Sequence, residues 1–103
     1  MSTFKFAIIG CGAHSRIAYG PVIRKIAEES HGTVRFICCD LDEAKALNYK
    51  KEFNLDNCFT DLDEMIEEAK PDGIVLVVPP SVTCSIAQKI FKTDKLLIDE
   101  ILQ

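Results

Sequence analysis

The chain has 103 residues, of which 48% are hydrophobic and 27% are charged, and its net charge is −4. This length gives one domain that can bury roughly two-thirds of its unfolded surface, and an acidic balance disfavours nucleic acid, which requires a clustered basic surface. No stretch approaches the ~20 apolar residues that span a bilayer, and no secretory signal is visible, so we expect a cytoplasmic protein with no membrane partner.

Apolar runs of strand length alternate with helical patterns along the chain. In chain order, the predicted strands cover residues 4–9, 33–39, 57–60, 74–78 and 95–98. The predicted helices between them cover about residues 13–29, 43–53, 61–70 and 81–93. This alternation predicts an α/β fold, an open parallel sheet of about five strands with right-handed crossovers and helices on both faces.

Single residues mark several boundaries of these elements. Pro21 removes a backbone donor, so the first helix should be kinked or divided in two. Asp42 and Asp61 precede helical patterns and are expected to cap them, Asp61 together with Glu64 at the third helical position. In the second predicted helix the larger apolar positions are Ala44, Leu47, Tyr49 and Phe53.

The first strand runs directly into Gly10-Cys11-Gly12, and the second ends at Asp40. A glycine turn between strand and helix, with an acid closing the next strand, is the pattern that binds a dinucleotide. Gly10 allows the tight turn, and Gly12 lets the backbone approach a pyrophosphate at the helix N-terminus. Asp40 can accept hydrogen bonds from the adenosine ribose. The alternative, that Asp40 begins an N-terminal cap together with Asp42, is compatible with this role.

The motif departs from G-x-G-x-x-G at its third position, Ser15, whose side chain is still small enough for close helix–strand packing. Asp40 favours NAD over NADP, because its carboxylate would repel a 2′-phosphate and no Arg or Lys occurs in residues 41–43. Two residues in and beside the motif, His14 and Arg16, each allow more than one role. Arg16 either reaches a phosphate or is a solvated helix residue, and His14 offers its backbone N–H rather than its imidazole.

The five cysteines form no C-x-x-C pair, so neither a metal site nor a thioredoxin-like site is predicted. They are interpreted as small buried thiols, including Cys11 inside the glycine turn. No catalytic set is found either. The only histidines are His14 and His31, and no G-x-S-x-G, H-E-x-x-H or P-loop motif occurs.

Four stretches carry a family resemblance: residues 8–21 (IIGCGAHSRIAYGP), 37–40 (ICCD), 72–80 (DGIVLVVPP) and 95–100 (KLLIDE). Together they resemble the N-terminal half of the glucose–fructose oxidoreductase and inositol dehydrogenase (Gfo/Idh/MocA) family, over essentially the whole chain. The first stretch is the most specific, since family members often continue the glycine loop into an Arg, an Ala-Tyr pair and a Pro. The resemblance implies an NAD- or NADP-binding domain of an oxidoreductase. In that family a larger α+β domain follows and holds a sugar, a polyol or a related compound.

By this resemblance, the amides of Ala13 and His14 would meet the pyrophosphate and Asp40 the adenosine ribose. Three residues at the end of the fourth strand would flank the cofactor. Glu100 would match the acid of the family's Glu-Lys-Pro tripeptide, near the nicotinamide ribose. The predicted cofactor-binding residues are therefore Gly10, Cys11, Gly12, Ala13, His14, Ser15, Asp40, Val78, Pro79, Pro80 and Glu100.

The match fails after Glu100, where the chain reads Ile101-Leu102. An apolar residue stands in the place of the family's catalytic lysine, and the proline is missing. Thr83 stands where many members carry a His. We expect residues 1–103 to be a single dinucleotide-binding domain without the family's substrate domain. Since isoleucine cannot donate a proton, we expect no catalytic residue and no hydride transfer on a sugar by this chain alone.

Two hypotheses of different classes follow. The first is the NAD-binding domain of a sugar or polyol oxidoreductase, truncated and without a reaction of its own. The second is a non-catalytic interaction or nucleotide-sensing module on a Rossmann scaffold, suggested by the joint loss of the lysine and the proline. An uncovered strand edge and apolar surface predict either a homo-oligomer or contact with a missing substrate domain.

Overall fold

The structure of the protein, a computed structural model, describes residues 3–78 and 96–101. The strands within these residues are β1 (Phe4–Ile9), β2 (Val34–Cys39), β3 (Asn57–Phe59), β4 (Gly73–Val78) and β5 (Leu96–Ile101). The helices are α1 (Ala13–Ala18), α2 (Gly20–Glu29), α3 (Glu43–Phe53) and α4 (Leu62–Ala69). The predicted helix over 81–93 lies outside the described residues, as do Pro79, Pro80 and Thr83.

The strands form one parallel sheet in the order β3-β2-β1-β4-β5. β1 lies at the centre, and in its last pair Ile9 is opposite Cys39 of β2 and Leu76 of β4. From β1 the chain first builds the sheet toward β3 and then crosses to build it toward β5. This arrangement confirms the predicted α/β fold. It also places a crevice at the carboxyl ends of the strands, where the strand order reverses.

Helices cover both faces of the sheet. Because side chains alternate along a strand, Ala7 and Ile9 of β1 enter one core and Ile8 enters the other. α4 covers the first core through the fully buried Met65. The second core is closed by residues of α2 and α3, namely Ile23, Tyr49 and Phe53. Within the described part of the chain, no helix is both long and apolar enough to cross a membrane.

The first predicted helix is divided, and the break falls at Tyr19, two residues before Pro21. Pro21 has no N–H to donate to the carbonyl of Ile17, so a continuous helix would lose a hydrogen bond there. Instead Pro21 lies in the first turn of α2, where no donor is needed. The Tyr19 N–H closes α1 by donating to the Ser15 carbonyl at 2.9 Å, and the Tyr19 carbonyl accepts from Ile23 N–H at 2.9 Å.

Both predicted aspartate caps are present. Asp42 Oδ1 accepts from the N–H of Lys45 at 3.3 Å at the start of α3. Asp61 Oδ1 accepts from the N–H groups of Asp63 at 2.9 Å and Glu64 at 3.4 Å at the start of α4. Each cap satisfies amides that have no intrahelical acceptor, so both helices begin where the sequence predicts.

The larger apolar positions of α3 do not all face the core. Tyr49 and Phe53 are buried, but Ala44 is exposed and Leu47 is 38% exposed. Ala46 takes the inward position and is fully buried. Positions 46, 49 and 53 follow the helical repeat. Side-chain size alone therefore does not identify the buried face of α3.

Gly20 is the contact point between α2 and α3. A Cβ placed on Gly20 would overlap the Cζ atom of the Phe53 ring. The glycine therefore permits the two helices to approach closely, and this contact anchors the segment that follows α1.

We expect Gly20→Ala to lower the free energy of unfolding by about 1–3 kcal/mol, because the added methyl group must displace the ring. Urea-induced unfolding followed by circular dichroism measures this loss. The cost of Gly20→Ala should shrink in a Phe53→Leu background, since leucine vacates the space of the ring tip. If the losses in free energy of unfolding from Gly20→Ala and Phe53→Leu simply add in the double variant, the proposed overlap is wrong.

Candidate functional site

The site begins where β1 ends, with the two glycines of the turn. Gly10 has φ of 106°, a conformation that favours glycine, and its N–H donates to the Cys39 carbonyl at 2.9 Å. Gly12 is the N-cap of α1 with φ −77° and ψ −173°, which any residue can adopt. A Cβ on Gly12 would meet no atom of the described chain within 4 Å. Neither conformation nor packing among the described residues requires glycine at position 12, so the missing side chain leaves open space beside the turn.

The start of α1 presents free backbone donors to that space. A glycine N-cap has no side chain that could cap the helix, and the first intrahelical bond runs from Arg16 N–H to the Gly12 carbonyl at 2.9 Å. The N–H groups of Ala13 and His14 therefore have no intrahelical acceptor, and both residues are exposed. Donors of this kind suit an anionic group.

Asp40 follows β2 and accepts a hydrogen bond directly from the glycine turn. Its Oδ2 accepts from the Cys11 N–H at 2.9 Å, and its Oδ1 accepts from the Asp42 N–H at 2.8 Å. The Asp40 N–H donates to the Phe59 carbonyl at 3.0 Å. A carboxylate has about four acceptor positions, so Asp40 can shape the turn and still accept from other hydroxyls. The two roles considered for Asp40 are geometrically compatible.

Ser15, at the third position of the motif, is hydrogen-bonded to Tyr49 of α3. Ser15 Oγ donates to Tyr49 Oη at 3.1 Å, and Tyr49 Oη in turn donates to the Ser15 carbonyl at 3.4 Å. Both residues are 1% exposed. The sequence predicted only that Ser15 is small enough to pack, and it missed this partner. The available signal was a tyrosine on the buried side of a helix, since a buried phenol needs a hydrogen-bond partner.

Of the other predicted site residues, the strand registers bring Val78 and Glu100 to the same edge of the sheet, whereas Pro79 and Pro80 lie outside the described residues. Gly10, Asp40 and Glu100 lie in one row across β1, β2 and β5, and Val78 ends β4 at this edge. The backbone of Glu100 is two strands away from Gly10, a span of about 10 Å. The row is long enough to accompany an extended ligand rather than a compact one.

The side chains of Arg16 and His14 lie outside this hydrogen-bonded framework. Arg16 Nε is 3.9 Å from Glu52 Oε1, and both side chains are half exposed, so the pair contributes little to stability. The His14 ring meets the Tyr19 ring edge-on, with centroids 6.0 Å apart. These contacts favour the interpretation of Arg16 as a solvated helix residue.

The cysteines near the turn are buried thiols. Cys11, Cys38 and Cys39 are buried, and Cys38 and Cys39 enter opposite cores. A hydrogen bond with Cys38 raises the pKa of the Cys11 thiol well above its usual range, and burial raises it further. Burial also raises the pKa of Cys39 to about 12. A thiolate is the reactive form, so the raised pKa values of Cys11 and Cys39 disfavour reaction at these two thiols in the folded protein.

We expect alkylation by iodoacetamide at pH 8 to separate the described cysteines. In a Cys84→Ser background, the half-buried Cys58 should react first, and Cys11, Cys38 and Cys39 should react roughly tenfold or more slowly. Peptide mass spectrometry measures each rate, and all four should react in denaturing urea. Rapid labelling of Cys11 in the folded chain would contradict its neutral, buried state.

A second concave surface of about 280 Å³ lies at the opposite edge of the sheet, beside the amino ends of the strands. Two of its charged residues, Lys5 and Asp56, are paired within the protein, whereas Glu68 is exposed. Lys5 Nζ donates to the Ala69 carbonyl at 3.1 Å, and Asp56 accepts two hydrogen bonds from Arg35. Lys5 and Asp56 thus already have partners here, whereas the amides of Ala13 and His14 at the glycine turn have no intrahelical acceptor.

A parallel sheet in this strand order, with a glycine turn at the switch point, defines the Rossmann class of dinucleotide-binding domains. The family model of an oxidoreductase family with an NAD-binding Rossmann fold, Gfo/Idh/MocA, matches residues 4–100. The chain belongs to the Gfo/Idh/MocA oxidoreductase family, as the resemblance predicted, and forms its NAD-binding Rossmann domain. The comparison with curated proteins finds no match.

Solved structures share the fold at low sequence identity. A Gfo/Idh/MocA family oxidoreductase from Vibrio cholerae aligns with a TM-score of 0.81 and 15% identity, over 94% of this chain and 29% of that chain. Scyllo-inositol dehydrogenase from Lactobacillus casei, solved with NAD(H) and scyllo-inositol, gives 0.76 and 21%, over 95% and 28%. The WlbA dehydrogenase from Bordetella pertussis, in complex with NADH and UDP-GlcNAcA, gives 0.77 and 16%, over 94% and 29%. The chain thus spans less than a third of each of these proteins.

Proposed function

We propose that the chain binds NAD along the carboxyl edge of its sheet, as the cofactor-binding half of an oxidoreductase acting on a sugar or polyol. The observation that carries this proposal is the open space at Gly12. A glycine that neither its φ nor its neighbours require stands beside the free amides of Ala13 and His14. A pyrophosphate in that space would accept from both amides and lie at the positive end of the helix dipole.

The adenosine ribose would lie beside Asp40. Its carboxylate is held by two backbone amides and keeps further acceptor positions for ribose hydroxyls. The same negative charge would repel the 2′-phosphate of NADP. The loop that follows, Leu41, Asp42 and Glu43, is exposed and supplies no compensating cation. This loop therefore supports a preference for NAD.

The nicotinamide half would extend across β4 and β5. Glu100 lies in the row of Gly10 and Asp40, on the other side of the turn from Asp40. A pyrophosphate at the turn would thus lie between an adenosine end at β2 and a nicotinamide end at β5. We place the nicotinamide ribose near Glu100, with Val78, Pro79 and Pro80 flanking the cofactor, as the family resemblance implies.

The substrate class rests on the family and on two of the structures above. Those structures contain scyllo-inositol and UDP-GlcNAcA, a polyol and a sugar derivative. We propose that residues 1–103 bind the cofactor but do not oxidise such a substrate by themselves. Hydride removal from an alcohol carbon needs a group that takes the hydroxyl proton. Ile101, in the place of the family's lysine, has no atom that can do so.

A second candidate is a non-catalytic interaction or nucleotide-sensing module on the same scaffold. Ile101-Leu102 in place of the family's lysine and proline favours it. The two candidates differ in what the glycine turn must do. A cofactor site needs the open space at Gly12, whereas a module that binds a partner elsewhere does not.

The first test is calorimetric titration of the wild-type chain and of Gly12→Ala with NAD, and with NADP in parallel. The wild type should bind NAD at micromolar to sub-millimolar strength, with NADP weaker. Gly12→Ala should weaken NAD roughly tenfold or more, because a methyl group would occupy the pyrophosphate space. Its urea midpoint should not change, since the position has an ordinary φ and open surroundings.

Asp40→Ala and Asp40→Asn complete this test. Asp40→Ala should weaken NAD binding by about 1.5–3 kcal/mol through lost charge-assisted hydrogen bonds. It also frees the Cys11 amide, so binding must be compared at a temperature where circular dichroism shows a folded chain. Asp40→Asn keeps one oxygen acceptor and should lose less. If a folded wild-type chain gives no heat with either dinucleotide, the proposed function is wrong.

Turnover by the chain alone is a separate prediction. With NAD and a panel of polyols, including scyllo-inositol, NADH absorbance should not rise above the rate without protein. The missing proton acceptor at Ile101 is the reason. Steady NADH production that scales with protein concentration and disappears in Gly12→Ala would show that the chain is itself an enzyme.

A further inference from the structure

We propose that Tyr49 is a positioning residue for the cofactor: from α3 its hydroxyl holds Ser15, and it thereby keeps the first turn of α1 in place for the pyrophosphate. The inference rests on the proposed function, because it concerns the same site. It concerns a residue 34 positions away from Ser15 along the chain, outside the glycine motif.

Two hydrogen bonds join Ser15 and Tyr49. Ser15 Oγ donates to Tyr49 Oη at 3.1 Å, and Tyr49 Oη donates to the Ser15 carbonyl at 3.4 Å. The same carbonyl accepts from the Tyr19 N–H at 2.9 Å, which closes α1. Tyr49 therefore holds the backbone of α1 as well as one side chain.

Among the described residues, few other contacts hold α1. It has six residues, far fewer than a helix needs to be stable alone. Ser15 is its buried residue, while Ile17, its largest apolar side chain, is 72% exposed. The flanking anchors are the Cys11 amide bonded to Asp40 before α1 and the contact of Gly20 with Phe53 after it. Between these anchors, the Tyr49 hydroxyl determines where Ala13 and His14 point their amides.

The surroundings keep the Tyr49 hydroxyl as a neutral donor. Tyr49 is buried, and burial raises its pKa to about 12, so the phenol stays protonated at physiological pH. Its ring packs edge-on against the Phe53 ring, with centroids 4.9 Å apart. Phenylalanine at position 49 would keep this ring contact and lose only the hydroxyl. The hydroxyl of Ser15 would then lack its acceptor in a dry environment.

The motif explains why the partner is needed. A glycine at the third motif position only has to let helix and strand pack closely. Ser15 brings a hydroxyl into the same buried place, and a buried hydroxyl must be satisfied. Tyr49 provides that partner. Position 15 is therefore held by hydrogen bonds as well as by close packing.

The test compares Tyr49→Phe with a destabilising control in the other core, Ile74→Val. NAD binding is measured by calorimetry at a temperature where both variants are folded. Tyr49→Phe should raise the NAD dissociation constant about five- to tenfold, because the α1 amides are no longer held. Ile74→Val lowers stability in the core on the opposite face of the sheet from Tyr49 and should change the constant by less than about twofold.

Hydrogen exchange supplies a readout that does not depend on NAD. In Tyr49→Phe, the amides of Arg16 and Ile17 in α1 should exchange faster than in the wild type, while the Met65 amide in α4 should not change. Adding Ser15→Ala to Tyr49→Phe removes the unpaired hydroxyl and should recover part of the stability. It should not restore NAD binding, because α1 stays unanchored.

The outcomes separate the two proposals. If the wild type binds NAD and Tyr49→Phe binds it equally well with unchanged exchange in α1, the positioning role is wrong and the proposed function stands. If the wild type does not bind NAD, the proposed function fails. In that case the exchange rates in α1 still decide whether Tyr49 holds this turn.

Discussion

β1 is hydrogen-bonded on both sides, to β2 and to β4, and most of the architecture depends on this central position. A strand in the middle of a parallel sheet has both faces covered, so Ala7 and Ile9 enter one core while Phe6 and Ile8 pack in the other. The chain leaves β1 at the carboxyl edge of the sheet. The crossover that follows therefore begins at a crevice between two diverging halves of the sheet. Gly10 makes this exit possible because its positive φ redirects the chain at once.

The turn after β1 is then held by polar contacts rather than by apolar packing. Cys11 is bonded to Asp40 through its amide, and Ser15 is bonded to Tyr49 through its hydroxyl and its carbonyl. A turn built from glycines has few side chains to bury, so directional hydrogen bonds take the place of a hydrophobic anchor. The Cys11 thiol stays neutral beside this turn. A thiolate there would repel an anionic ligand, and the neighbouring thiol and the burial both oppose its formation.

Membership of the Gfo/Idh/MocA family establishes the cofactor class. At the end of β5, however, the residue that follows Glu100 differs from the one that the family resemblance leads one to expect. Ile101 follows Glu100 in β5, where the resemblance leads one to expect a lysine. The glycine turn and the end of β5 are thus independent features of one edge of the sheet. In the proposed arrangement, backbone amides at the turn would attract a pyrophosphate whether or not a proton-transfer group stands about 10 Å away, so binding and catalysis can be separated physically. The experiments on Gly12 and on turnover address these two properties one at a time.

The sequence by itself determined the features that depend on neighbouring residues. The alternation of elements, the aspartate caps and the tight turn at Gly10 follow from local backbone preferences, and the structure has them where they were predicted. Only the tertiary structure decided which side of α3 faces the sheet, with Ala46 rather than Leu47 inward. It also decided that Asp40 bonds to Cys11 and that Ser15 bonds to Tyr49, residues 29 and 34 positions apart. Such pairs depend on how helices rotate and dock on the sheet, and the free energy of that docking is summed over the whole core. No local pattern of residues encodes it.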